Sequence, residues 1–212
     1  MSIEEICNKY GIENYTINDD GTVDVDGDVI IWGCNLNEMP LKFNKVTGDF
    51  NCSENAQNNL KGSPRWVGGN FYSRFNKLTT LEGCPEKVGV GFKCSANKLT
   101  DLKFSPKYVG GNFTCNWNDI TTLDGFESEI KGIASYTISG FEYTKKLVTT
   151  FHCAGNPIAS IFNDVDKDFL RTFKSFKVLN NGVINLKRLK YVMEMFDKPI
   201  YLESIKKHYQ LV

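Results

Sequence analysis

From residue 29 to residue 127 the apolar positions of this chain recur every 21 residues, and the motif returns after a longer gap of 38 from Phe113 to Phe151. The clearest copies are VGGNFYSRFNKLTTLEGCP from Val67, VGVGFKCSANKLTDLKFSP from Val88 and VGGNFTCNWNDITTLDGFE from Val109, and VTGDFNCSENAQNNLKGSP from Val46 precedes them. In each copy a short stretch alternates. Phe113-Thr114-Cys115 predicts a strand with Phe113 and Cys115 inward and Thr114 outward. Asn118 follows, then Ile120 and Leu123 at spacings of two and three. A fixed period of this size predicts stacked coils, each too small to bury its apolar face alone.

The asparagine has a physical role. Where the chain turns out of its strand, backbone groups face the interior and cannot reach water, and a buried amide can bond them. Asn55, Asn76, Asn97, Asn118 and Asn156 are expected to form such a ladder, with Cys34 in the same place in the first coil. The rest of each coil holds Gly62-Ser63-Pro64, Gly83-Cys84-Pro85 and Ser105-Pro106. Glycine and proline so close together exclude a long helix and predict a short turn or extended return leg. Trp66, Lys87 and Tyr108 share one return-leg position, where packing on the convex side is expected and an aromatic–cation stack is the alternative.

Extending the register adds Val29-Ile30-Ile31 one period before Phe50, a shortened coil near Ala134-Ser135-Tyr136, and a restored motif from Phe151 to Ile161. The reading is about seven coils, two of them poor. The copies depart from one another at Ser73, which replaces a cysteine, near Ala134, and in a widened Asn55–Leu60 stretch.

A solenoid exposes an apolar face at each end unless something covers it. Residues 1–28 predict a covering helix capped by Ser2 and a hairpin from Tyr15 to Asp26. Residues 162–212 predict a helical cap: one helix after Asp164, a turn at Asn180-Asn181-Gly182, a helix capped by Asn185, and a short one between Tyr201 and Tyr209. The expected architecture is three-part: cap 1–28, solenoid 29–161, cap 162–212.

Composition narrows the chemistry. The net charge is +0, from 25 basic and 25 acidic residues, so no overall field draws nucleic acid or an anionic membrane. Lys187, Arg188, Lys190, Lys206 and Lys207 make the C-terminal end basic, which reads first as a solvated helix face and only then as a nucleic-acid contact. The start, MSIEEICNKYG, lacks the basic and apolar regions of a secretory leader, and no run reaches the roughly 18 apolar residues of a membrane span. The expected location is therefore the cytoplasm. The seven cysteines are odd in number and several sit at inward repeat positions, as reduced thiols do.

No catalytic, metal or cofactor site is expected. His152 and His208 have no evident nucleophile beside them, and Cys153 points opposite to His152 on an alternating strand. No C-x-x-C pair supports zinc, and the acidic run Asp24–Asp28 lacks the closing glutamate of a calcium loop. The outward strand positions carry the variation between coils: Ile30 and Trp32; Asn51 and Ser53; Tyr72 and Arg74; Lys93 and Ser95; Thr114 and Asn116; Thr150 and His152. Phe75 and Trp117 lie just beyond. Trp32, Tyr72, Arg74, Lys93, Asn116, Trp117 and His152 are the candidate partner-binding residues, because aromatic and arginine side chains dominate binding hot spots.

The motif F-x-C-x-x-N-x-I-x-x-L resembles the leucine-rich repeat, L-x-L-x-x-N-x-L-x-x-L, and Phe75–Leu81 and Ala96–Leu102 carry the same second half. The resemblance to short leucine-rich-repeat proteins covers roughly residues 29–161. More narrowly, these repeats, the hairpin from Tyr15 and the C-terminal segment look like small proteins encoded by tailed bacteriophages. That resemblance implies an α/β-type leucine-rich-repeat solenoid with one parallel sheet and irregular return legs. It further implies a non-enzymatic scaffold for a protein partner, such as a host defence or nucleic-acid-processing factor. A self-assembling virion component is the alternative, and nucleic-acid binding by the C-terminal helices is the third reading.

Overall fold

The computed structural model describes residues 1–130, 133–138, 141–146, 151–163 and 165–212, with backbone alone from 129 to 146. The chain winds into a β-solenoid of about four regular turns bounded by parallel sheets. One sheet is built on the repeat valine. It runs β1 (Tyr15–Ile17), β2 (Val23–Val25), β4 (Phe43–Val46), β6 (Trp66–Val67), β8 (Lys87–Val88), β10 (Tyr108–Val109) and β12 (Glu129–Ile130). The other is built on the repeat phenylalanine: β3 (Val29–Ile30), β5 (Phe50–Asn51), β7 (Phe71–Tyr72), β9 (Phe92–Lys93), β11 (Phe113–Thr114) and β15 (Phe151–His152). The return leg thus carries a second parallel strand, more regular than the short irregular leg expected.

The two sheets meet at a glycine corner because the coils stack backbone on backbone. A Cβ on Gly68, Gly89 or Gly110 would stand 2.1, 2.0 or 1.9 Å from a carbonyl oxygen of the coil beneath, so no side chain fits. Inside, Phe50, Phe71 and Phe92 stack nearly parallel with centroids 5.5 and 5.4 Å apart, and Phe113 and Phe151 continue the column. Leu60, Leu81, Leu102 and Leu123 form a second buried column, and Val46, Val67, Val88 and Val109 a third. Burying whole side chains at these positions contributes on the order of 1.5–3 kcal/mol each, which no coil could gain without its neighbours.

Several expectations are corrected. No shortened coil stands near Ala134. Strands β13 (Ile133–Ile138) and β14 (Phe141–Lys146) form an antiparallel hairpin, and Phe113 pairs directly with Phe151. The extra residues are thus an insertion within one coil, and the Phe sheet has six rungs among the described residues. The Asn55–Leu60 stretch is not widened either. Gln57 sits in register with Leu78: its N–H donates to Asn76 Oδ1 as the Leu78 N–H donates to Asn97 Oδ1. Ser53 and Ser95, expected outward, are buried. Each strand of the Phe sheet is only two residues long, and the chain turns inward straight after it.

Toward the N-terminus, α1 (Ile3–Lys9) starts with a capping box between Ser2 and Glu5, and Cys7 and Ile12 join the core. Toward the C-terminus, α2 (Lys167–Ser175) is capped by Asp166, while Asp164 lies outside the described residues, as does Thr150. Helices α3 (Leu186–Met195), capped by Asn185, and α4 (Leu202–Ile205) follow. An unforeseen three-stranded sheet joins β16 (Leu179–Asn180), β17 (Val183–Ile184) and β18 (Gln210–Leu211), and its hairpin turns at Asn181 and Gly182, both with positive φ. Among the described residues no helix is long and apolar enough to cross a membrane.

Candidate protein-binding face

The outer face of the Phe sheet is a straight row. Parallel register places Ile30, Asn51, Tyr72, Lys93, Thr114 and His152 side by side on successive rungs, about 4.8 Å apart. Tyr72 is half-buried beneath two cations, with Lys93 Nζ 4.5 Å and Arg74 Cζ 5.7 Å from its ring centroid. The face is therefore a cationic–aromatic platform at its centre. Trp32 projects at the first rung, 52% exposed. Asn116 is tied into the scaffold: its Oδ1 accepts from the Ala154 N–H at 2.9 Å, bridging the inserted hairpin. His152 is half-buried at the last rung and has partners of its own.

Immediately past each strand runs a column of left-handed residues. Gly33, Glu54, Phe75, Ala96, Trp117 and Gly155 have φ of 65°, 55°, 54°, 56°, 52° and 73°. The outer two are glycine, for which this backbone costs nothing, and the inner four are not. A non-glycine residue here costs roughly 1–2 kcal/mol. Phe75 and Trp117 nonetheless hold their rings 53% and 62% exposed. They stand two rungs apart with Ala96 between them, so the ridge has an aromatic wall on each side of an alanine-floored notch.

The asparagine ladder fixes this column. Asn97 Nδ2 donates to the carbonyls of Ser73, Cys94 and Ser95 at 2.9, 3.0 and 3.2 Å, while its Oδ1 accepts from the Leu78 N–H. Asn55, Asn76, Asn118 and Asn156 repeat the same set of bonds to their own and the preceding coil. Each amide thus holds the two carbonyls that lead into a left-handed residue. The ladder aims the Phe75 and Trp117 rings.

A second left-handed column occupies the opposite corner: Gly62, Gly83, Phe104 and Gly125, with φ of 92°, 85°, 63° and 75°. Phe104 is 64% exposed. It was not among the sequence-derived candidates, although its place was legible as a phenylalanine standing where the other copies have glycine. On the Val sheet, Lys45 Nζ lies 5.1 Å from the Trp66 centroid and Lys87 Nζ 5.4 Å from that of Tyr108, an alternating cation–aromatic column. Ion pairs link Arg65 and Lys107 to Glu86, whose carboxyl is held below its usual range chiefly by the Arg65 hydrogen bond.

The thiols inside the column are inert. Cys52, Cys94 and Cys115 are fully buried, and burial pushes each well above the ordinary thiol range. Among the described residues no disulfide is formed. Among the described residues no group of three or more His, Cys, Asp or Glu side chains is placed to hold a metal ion. No family model, curated protein or solved structure matches the chain.

Proposed function

We propose that this protein is a non-enzymatic scaffold that binds a protein partner on the outer face of the Phe sheet. One observation carries the reading: Phe75 and Trp117 sit in a backbone conformation that disfavours them, yet hold their rings in solvent. Strain maintained without a burial gain marks a functional position more often than a packing one. The two rings and the Ala96 notch form the anchor. Tyr72, Arg74 and Lys93 supply a cationic rim that steers an acidic patch on the partner. The leucine-rich-repeat-like motif supports this use of a solenoid face, and the likeness to phage repeat proteins makes a host protein the partner to seek.

Affinity capture from bacterial lysate tests it, comparing the wild type with Phe75→Ser/Trp117→Ser and with Tyr72→Ala/Arg74→Glu. The expected result is a partner retained by the wild type and lost from both variants at unchanged melting temperature. Identical partners and yields for all three would remove the face from consideration.

A second reading is favoured by one feature of the C-terminal segment. Phe176 and Tyr191 pack with centroids 5.3 Å apart on an open cavity of about 730 Å³ lined also by Lys187, Arg188 and Lys190. Exposed rings flanked by cations suit a single-stranded nucleic acid, and steep salt dependence would be its signature.

A further inference from the structure

The two ends of the Phe sheet are finished differently. At the last rung, Phe151 exchanges both backbone bonds with Val165, and the Cys153 N–H donates to Asn163 Oδ1, so the chain's own continuation closes that edge. At the first rung no described residue does the same. The next four coils each offer three carbonyls to the rung below. Asp49, Asn51 and Ser53 accept from the N–H groups of Val29, Ile31 and Gly33, and Asn70, Tyr72 and Arg74 accept from Phe50, Cys52 and Glu54. One period earlier the equivalent carbonyls belong to Asp28, Ile30 and Trp32, the last of which accepts only from the Cys34 thiol at 3.4 Å. Among the described residues no strand pairs with β3 on that side, whereas the Val sheet continues past the same coil into β2 and then antiparallel β1.

This edge is neither short of apolar surface nor guarded by lysine, the usual means of blocking an open strand. Ile30 and Trp32 are each more than half exposed beside it. The charge around it has one sign. Residues 1–28 contain eight Asp and Glu against a single Lys. Asp28 leads directly into β3, and Asp26 hydrogen-bonds through its N–H to the Asn14 carbonyl, which brings Glu13 alongside. None of Glu13, Asp26 or Asp28 is in an ion pair among the described residues. Asp26 Oδ1 accepts from Thr47 Oγ1 and Asp28 Oδ1 from the Asp49 N–H, neutral donors of the next coil that leave both charges without a cation.

We propose that the open edge of β3 receives an extended, lysine- or arginine-bearing segment of another protein, added as a further rung of the Phe sheet. Its N–H groups satisfy the Asp28 and Ile30 carbonyls and displace the Cys34 thiol from that of Trp32, its apolar residues cover Ile30 and Trp32, and its cations are drawn by the net negative charge of Glu13, Asp26 and Asp28. A second copy of this chain is disfavoured as the occupant, because edge-to-edge pairing brings two acidic ends together. The proposal is independent of the reading of the outer face.

The test uses the full chain and two synthetic peptides, one alternating valine with lysine and one alternating valine with glutamate. The expected result is that the lysine peptide shifts the Ile30 amide resonance and the Trp32 fluorescence, and that its affinity falls at least tenfold between low and physiological salt. The glutamate peptide should do neither. Ile30→Pro removes only an N–H that points away from β5 and should abolish binding. Trp32→Lys, which leaves the backbone intact, should weaken it at least tenfold and serves if the proline variant fails to fold. Equal binding of both peptides, binding of neither, or binding unchanged in both variants overturns the proposal. So does self-association of the free protein that Ile30→Pro abolishes, which would assign the edge to a second copy.

Discussion

Trp117 lies directly over Gly155, close enough that a Cβ on the glycine would stand 2.4 Å from Trp117 Cδ1. Both residues occupy the left-handed column, one rung apart, and the glycine's φ of 73° also disfavours a side chain. The exposed tryptophan is therefore seated on one face and open on the other. Gly155→Ala is expected to destabilise the protein by about 2–4 kcal/mol, combining left-handed strain with displacement of the ring. Calorimetry of Gly155→Ala alone and with Trp117→Ala separates the two parts: the double variant should recover the steric share and keep the backbone share.

Phe104 gives the converse case. It holds a φ of 63° where its repeat equivalents are glycine, and its ring gains little burial in return. Phe104→Gly should raise stability by about 1 kcal/mol, a rise of a few degrees in melting temperature. A loss of stability would mean that the ring packs in a way its exposure does not show.

Asn97 bonds three carbonyls and one N–H in two adjacent coils. Asn97→Ala strands those groups and should cost roughly 1–3 kcal/mol. Because the coils stack only on their neighbours, amide exchange should rise in the coils of Asn76, Asn97 and Asn118 before it rises near α1. Exchange that increases evenly along the chain would contradict a locally acting ladder.

The solenoid was legible because its cause is repeated. Phe71 and Val67 recur in register, and a pattern seen four times over outweighs any single propensity. What escaped the sequence reading was conformation that depends on stacking. Ser53 and Ser95 look like outward strand residues, but the two-residue strands end before them, a length set by the glycine corner and the left-handed turn together. Strands β13 and β14 look like part of a coil in the sequence because alternation alone does not distinguish a strand that stacks from one that folds back. Of the candidate face, Tyr72, Arg74 and Lys93 were visible as variable positions. The importance of Phe75 and Phe104 lay in their φ angles, which only the glycine at equivalent places betrayed.

Ser73 interrupts the buried cysteine column between Cys52 and Cys94, and its Oγ has no hydrogen-bond partner. Gln57 interrupts the Leu36–Leu78–Leu99 column and leaves its Oε1 unsatisfied. Both are buried polar atoms without compensation. Ser73→Cys and Gln57→Leu should each stabilise by about 1 kcal/mol or more, and, lying on neighbouring rungs, they need not add. Denaturant midpoints of the single and double variants would check this. A lower midpoint for Ser73→Cys would show that the hydroxyl has a partner after all.

The cysteines report on the integrity of the column. Cys34 is exposed, Cys84 is partly covered and donates through Sγ to the Phe104 carbonyl, and Cys7, Cys52, Cys94, Cys115 and Cys153 are buried. Burial pushes Cys84 well above the usual range too, so near neutral pH it presents little thiolate to an electrophile. An alkylating reagent applied to the native protein at pH 7.5 should therefore label Cys34 quickly and Cys84 slowly. The buried five should react only at the rate at which their coils open. Peptide mass spectrometry over time orders them, and Cys94, at the centre of the stack, should be among the last. Early labelling of Cys94 alongside Cys34 would mean that the coils separate readily, and the rigid presentation of Phe75 and Trp117 would fail with them.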